Sequence, residues 1–159
     1  MDSALGLVLR NKERNEKEIN KKIKEEEEKR VIIFSGDRNC KESSQIIDVL
    51  KSLDKEKDII VTGGCQGVDK IVENEAKRIG FKVLIEKAYW NNRKSQTYNT
   101  SKGYDPMAGP RRNQRMLNKY KVKKVYLFHN FIQNSKGTKD MMEKCLHQNI
   151  PFELKRTSK

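Results

Sequence analysis

Cysteine, histidine, proline and tryptophan are all scarce in this sequence: three, two, three and one among 159 residues. Cys40, Cys65 and Cys145 lie far apart, are odd in number and include no C-x-x-C pair. That pattern argues against a disulfide framework and points to a reducing compartment, the cytoplasm. His129 and His147 have no other ligand types close by, so no metal site is expected. No apolar run approaches the roughly 20 residues that a membrane span requires. Leu5-Gly6-Leu7-Val8-Leu9 is too short for a signal-peptide core and follows Asp2 instead of a basic segment. A soluble, unexported protein with no membrane partner is the expectation.

What is abundant is charge. Charged residues make up 36% of the chain and the formal net charge is +13. The excess is concentrated. Residues 11–30 hold eight basic and seven acidic side chains, nearly balanced, whereas residues 87–124 hold eleven Lys and Arg against one acid, Asp105. That second stretch supplies +10 of the total, a field that draws in phosphate, whether on a small ligand or on a nucleic acid. For its lysines the plainer reading is a solvated face.

Residues 1–30 read as a charged N-terminal extension. Between 11 and 30 only Ile19 and Ile23 are apolar, so a solvent-exposed helix supported by i,i+4 charge pairs is expected, with no apolar stripe to pack. The cluster from Leu5 to Leu9 would dock on the domain or on a second subunit, and a homo-oligomer is expected. From residue 31 strands and helices alternate. Val31–Phe34, Ile59–Val61, Val83–Ile85 and Val125–Phe128 read as strands. Helices are marked by Ile46, Ile47, Leu50 and Leu53, then by Val68 to Ile79 ending at Gly80, then by a start at Ala108-Gly109-Pro110, then by Met141 to Leu146. Ile150–Leu154 reads as a closing edge strand. Parallel βαβ units of this kind build a Rossmann-like three-layer α/β sandwich with a mostly parallel sheet, here one domain over 31–159.

Ligands of such folds bind beyond the carboxyl ends of the strands. The residues suited to phosphate fall there: Gly36, Asp37 and Arg38 after the first strand; Gly63, Gly64, Gly67 and Asp69 after the second; Ser135, Lys136, Gly137 and Thr138 after the fourth. Glycines let backbone N–H groups approach an anion, a helix N-terminus adds positive potential, and a guanidinium offers a planar fork. No loop has the Walker frame or G-x-G-x-x-G.

Ser35-Gly36-Asp37-Arg38, then Thr62-Gly63-Gly64-Cys65-Gln66-Gly67-Val68-Asp69, then Ala88-Tyr89-Trp90, then Ala108-Gly109-Pro110-Arg111-Arg112-Asn113-Gln114-Arg115-Met116, then Phe128-His129 and Ser135-Lys136-Gly137-Thr138-Lys139-Asp140 follow one another through residues 31–154. In order and spacing they resemble the successive motifs of the YspA-like branch of the SLOG superfamily, which includes Smf/DprA and the LONELY GUY phosphoribohydrolases. The resemblance implies a Rossmann-like fold binding a nucleotide or nucleotide-derived ligand through Gly36, Arg38, Gly63, Gly64, Gly67, Asp69, Trp90, Gly109, Pro110, Arg112, Asn113, Met116, Gly137 and Thr138. The chain departs from the LONELY GUY pattern P-G-G-x-G-T-x-x-E: the position of the terminal glutamate holds Met141, and Asp140 points about 100° away around a helix.

Arg112 is the favoured functional residue, because an arginine beside Gly-Pro at a helix start has little packing reason to be there. Asp69 fits either a helix cap or a catalytic carboxylate, and Trp90 fits either a loop anchor or a base-stacking platform. Asn113 could simply bond backbone locally. His129 reads as a polar strand-end residue and Met116 as core. Three functions follow, in order: a module that senses or sequesters a phosphorylated nucleotide or ADP-ribose-like ligand, with no cofactor required; a hydrolase of nucleotide N-glycosidic or related bonds using Arg112 with Asp69 or Asp37; and a nucleic-acid binder acting through residues 87–124.

Overall fold

The computed structural model describes residues 4–28 and 30–157. A helix α1 (Ala4–Glu28) precedes the alternation β1 (Arg30–Gly36), α2 (Ser44–Ser52), β2 (Asp58–Thr62), α3 (Val68–Ile79), β3 (Val83–Ile85), α4 (Ala108–Lys119), β4 (Val122–Phe128), α5 (Gly137–Gln148) and β5 (Phe152–Lys155), with a short 3-10 turn at Ile132–Asn134. The five strands form one sheet in the order β3-β2-β1-β4-β5. Every pairing is parallel. The Rossmann-like α/β architecture is therefore present, with a sheet that is wholly parallel.

The two faces of the sheet are filled by alternate residues of the same strands, as the two-residue period of a strand requires. Ile32 and Phe34 of β1 point to the side covered by α2 and α3, where they meet Ile46, Leu50, Val68, Val72, Ala76 and Phe81. Val31 and Ile33 point to the side of α4 and α5, against Met116, Leu117, Met141 and Cys145. Phe34 stacks on Phe128 across the β1–β4 pair, ring centroids 6.0 Å apart. Gly80 ends α3 in the left-handed conformation, φ 112°, donating its N–H to Ala76.

The chain steps outward from β1 to β2 to β3, then returns across β1 to β4. The loops after β1 and β4 therefore feed helices on opposite faces, α2 on one and α5 on the other. The crevice of this fold opens between the carboxyl ends of those two strands, which end in register at Gly36 and Phe128.

α1 corrects one expectation. The apolar cluster at 5–9 and the charged segment after it belong to one continuous helix. Leu5, Val8, Leu9, Ile19 and Ile23 consequently share one side of it at 100° per residue, so a stripe exists that residues 11–30 alone did not display. These side chains are exposed.

Candidate functional site

The loop after β1 is held against its neighbours by missing side chains. A Cβ on Gly36 would run into the Phe128 carbonyl and lie 2.7 Å from Val68 Cγ2, and one on Gly67 would fall into the Asp37–Arg38 peptide. Two backbone bonds complete this seam: Asp37 N–H donates to the Phe128 carbonyl (2.9 Å), and Val68 N–H, at the start of α3, to the Asp37 carbonyl (3.0 Å). Gly36, Asp37 and Gly67 thus lie together at the β1–β4 junction. Arg38 is exposed there, its guanidinium over the Trp90 ring at 5.4 Å.

The loop after β2 wraps a buried polar cluster. Gly63 lacks a side chain where the Arg112 guanidinium passes, and Asp69 Oδ2 lies 3.0 Å from where its Cβ would be. Arg112 is 7% exposed. It donates from Nη1 to the carbonyls of Gly63 (2.9 Å) and Glu86 (3.4 Å), and from Nε to Asn113 Oδ1 (3.1 Å). Asp69, in the first turn of α3, reaches back to accept the Cys65 N–H at 3.2 Å, so it braces the loop ahead of the helix. Its other oxygen, Oδ1, and the Thr62 hydroxyl are buried without a hydrogen-bond partner among the described residues. Burial pushes the Asp69 carboxyl above its ordinary range, opposed by the nearby Thr62 hydroxyl, Arg112, the Cys65 N–H and Arg38.

Trp90 is half-buried, and the outer edge of its six-membered ring comes so near α4 that a Cβ on Gly109 would lie 2.8 Å from it. Pro110 occupies the first turn of the same helix. One step along, Asn113 leaves the cluster and joins the next loop, donating to the Gly137 carbonyl (3.2 Å) and to Asp140 Oδ2 (3.0 Å). Ser135 Oγ accepts the Thr138 N–H (3.0 Å) and so caps α5. Thr138 is buried, Lys136 and Gly137 are exposed, and nothing lies within 4 Å of a Cβ built on Gly137.

The sequence-derived residues therefore form a chain of contacts along the carboxyl edge. Arg38, Trp90 and Gly109 make one group, Gly63, Asp69 and Arg112 a second, and Asn113 with Gly137 a third. Arg112 sits beneath the second loop, not on the open rim. Met141 is fully buried in the core, and Asp140 is engaged by Asn113 and by Lys144 (2.6 Å). His129 accepts the Phe131 N–H (2.9 Å), a strand-end role, and Met116 is core.

Two acids missed in the sequence organise the basic stretch. Glu86, just beyond β3, accepts from Lys119 (2.7 Å), Tyr120 (2.5 Å) and Arg115 (3.5 Å), and these donors hold its carboxyl below the usual range. Asp105, inaccessible to solvent, accepts from Ser95 (2.8 Å), Thr97 (2.7 Å), Met107 N–H (3.0 Å) and Arg111 (3.0 Å). Desolvation would raise it, but the four bonds together prevail and bring it to about 2. Being the lone acid among eleven cations was the available signal. Arg111, Arg115 and Lys119 are thereby tied, while Arg112 is held by carbonyls and Lys123 and Lys124 pair with Asp58 and Glu153. Lys87, Arg93, Lys94 and Lys102 remain exposed in the β3–α4 loop with Tyr89, 67% exposed, beside an open hollow of ≈ 330 Å³ lined by residues 88–92. Among the described residues no three His, Cys, Asp or Glu side chains gather as metal ligands, and no helix is long and apolar enough to cross a membrane.

No protein-family model matches this chain, and no curated protein matches it. Among solved structures it is similar to the X-ray structure of DNA processing protein A (DprA) from Streptococcus pneumoniae. The TM-score is 0.58 at 16% sequence identity, over 79% of this chain and 50% of that one, so the chain spans about half the length of DprA. Likeness at this level of identity establishes the fold.

Proposed function

We propose that this chain binds a phosphorylated nucleotide or nucleotide-derived ligand at the carboxyl edge of its sheet, as a sensing or sequestering module. The observation that carries this reading is that adjacent strands β1 and β4, which end in register, are followed respectively by the exposed Arg38, parked on Trp90, and by the N-terminus of α5, whose Gly137 leaves open space. The first N–H groups of a helix have no intrahelical acceptor; in α5 that of Thr138 is taken by Ser135, and an anion would satisfy those that remain. Arg38 would move onto the phosphate and free a face of the indole for a planar base. Arg112 and Asp69 hold the second loop in shape from behind. The motif order that resembles the YspA-like branch, together with the DprA-like fold, supports placing the chain in the SLOG superfamily.

Glycosidic hydrolysis has less behind it, because the LONELY GUY glutamate position is the buried Met141 and Asp140 is already engaged. Nucleic-acid binding is the second reading. The exposed Lys87, Arg93, Lys94 and Lys102 of the same loop as the exposed Tyr89, whose ring already carries the Arg115 guanidinium at 5.3 Å, favour it, since stacking and phosphate contacts together hold single strands.

Trp90 is the sole tryptophan of the sequence, so its fluorescence reports on this site. Titration with nucleoside monophosphates, ADP-ribose and inorganic phosphate should give a saturable change for the nucleotides, weakened about tenfold or more in Arg38→Ala. No response to any of these compounds, or an Arg38→Ala protein of full affinity, would overturn the site. Free base appearing in the mixture would move the assignment to the hydrolase. Binding confined to single strands, with a steep salt dependence, would move it to the second reading.

A further inference from the structure

The stripe on α1 has a pattern of its own. Leu9, Glu16 and Ile23 recur every seven residues, and so do Leu5, Lys12 and Ile19, offset to the a and d positions of a heptad repeat. All six side chains are exposed, the four apolar ones 68% (Leu5), 53% (Leu9), 55% (Ile19) and 49% (Ile23). Four apolar residues at a and d need a covering partner, and Lys12 and Glu16 break the stripe in its middle.

Those two interruptions select the partner. In an antiparallel pair of helices, a residues of one face d residues of the other. Set one α1 against a second copy so that Leu9 faces Ile19. Leu5 then faces Ile23, and Lys12 faces Glu16, and each contact occurs twice by symmetry. At the a and d positions each apolar residue meets an apolar residue and Lys12 meets its opposite charge, while Val8 lies at the margin of the seam. A parallel pair in register sets Lys12 against Lys12 and Glu16 against Glu16, two like-charge layers inside the seam. Glu13 falls beside its own copy near the centre, with Lys17 one turn along to offset it.

From this we infer that α1 is the interface of an antiparallel homodimer, with Leu5, Leu9, Ile19 and Ile23 as its apolar layers and Lys12–Glu16 as the ion pair that fixes orientation and register. Three heptads make a short seam, so association is weak and depends on protein concentration. The inference is independent of the ligand site.

Sedimentation equilibrium of the full chain and its charge variants tests the register. The wild type should dimerise. Lys12→Glu and Glu16→Lys should each weaken the dimer about tenfold or more, because each puts like charges in two symmetric layers. The double variant Lys12→Glu/Glu16→Lys should recover the wild-type constant. Both sites of change are solvent-exposed, and far-UV circular dichroism would confirm that each protein stays folded. A wild-type chain monomeric at all concentrations, its stripe covered by its own domain or by another partner, overturns the inference. So does a dimer that the single variants leave unchanged, which is the behaviour of a parallel pair. A double variant no better than the singles overturns the register.

Discussion

Two parts of this protein are polar almost throughout, the helix α1 and the loop of residues 86–107 between β3 and α4, yet they are ordered in opposite ways. α1 satisfies its backbone internally, turn by turn, with mixed charges at i,i+4 spacing and no Pro or Gly after Gly6. The loop is rich in Asn, Ser and Thr, whose side chains compete for backbone groups. Asn92 Oδ1 accepts the Lys94 N–H (3.1 Å), and Asn99 Oδ1 the Lys102 N–H (3.0 Å). The whole is latched by Asp105, whose own N–H donates to the Trp90 carbonyl at 2.8 Å. The lesson is that polarity does not decide whether a segment is ordered. What decides it is where the backbone donors and acceptors find partners, locally in the helix and through one buried carboxylate in the loop.

The largest effect should come from removing that carboxylate. Asp105→Ala removes the solvent-inaccessible acceptor that gathers four donors of the loop and of α4. The loop should detach, with a fall of several degrees in Tm and a red shift of Trp90 emission, while the helical signal of α1 persists. An unchanged emission spectrum would mean that the contacts of Trp90 with Gly109, Arg38 and Tyr104 hold it without the latch.

A gentler version uses acid. A carboxyl lowered in the folded state stabilises fully above its ordinary value near 3.8, and that contribution is lost as pH falls toward about 2. Trp90 emission should therefore hold down to pH 4 and change between there and pH 2. Loosening already at pH 6 would contradict the latch.

The smallest effect belongs to α1. Arg14→Gly, on the side of the helix away from the stripe, costs the helix roughly 0.8 kcal/mol. The far-UV signal should fall slightly with the Tm of the α/β domain unmoved, and a coupled drop in Tm would show that helix and domain unfold together.

Much of the fold was legible because its signals are local. Val31–Phe34 and Val125–Phe128 are apolar runs of strand length, Gly80 stops α3 as expected, and Ala108-Gly109-Pro110 opens α4 as expected. The stripe on α1 was missed because the chain was divided at residue 11, and a seven-residue repeat is invisible when cut in two. Glu86 was missed for a different reason: its donors lie 29 to 34 residues away in sequence. The donors to Asp105 lie within ten residues, but an irregular loop gathers them with no period that sequence could display. Arg112 was noticed as an arginine with little reason to pack, and its packing reason turned out to be two carbonyls, Gly63 and Glu86, brought to it from other parts of the chain.

The amino-acid order determined which segments become strands and helices and which loops carry glycine, since backbone preference and side-chain period act over a few residues. It could not determine the strand order, the crevice that this order opens between β1 and β4, or the burial of Arg112 and Asp69 behind the second loop. Those were decided by tertiary packing, because a buried polar atom has to find its partner in space, and sequence separation says nothing about which atoms will be near.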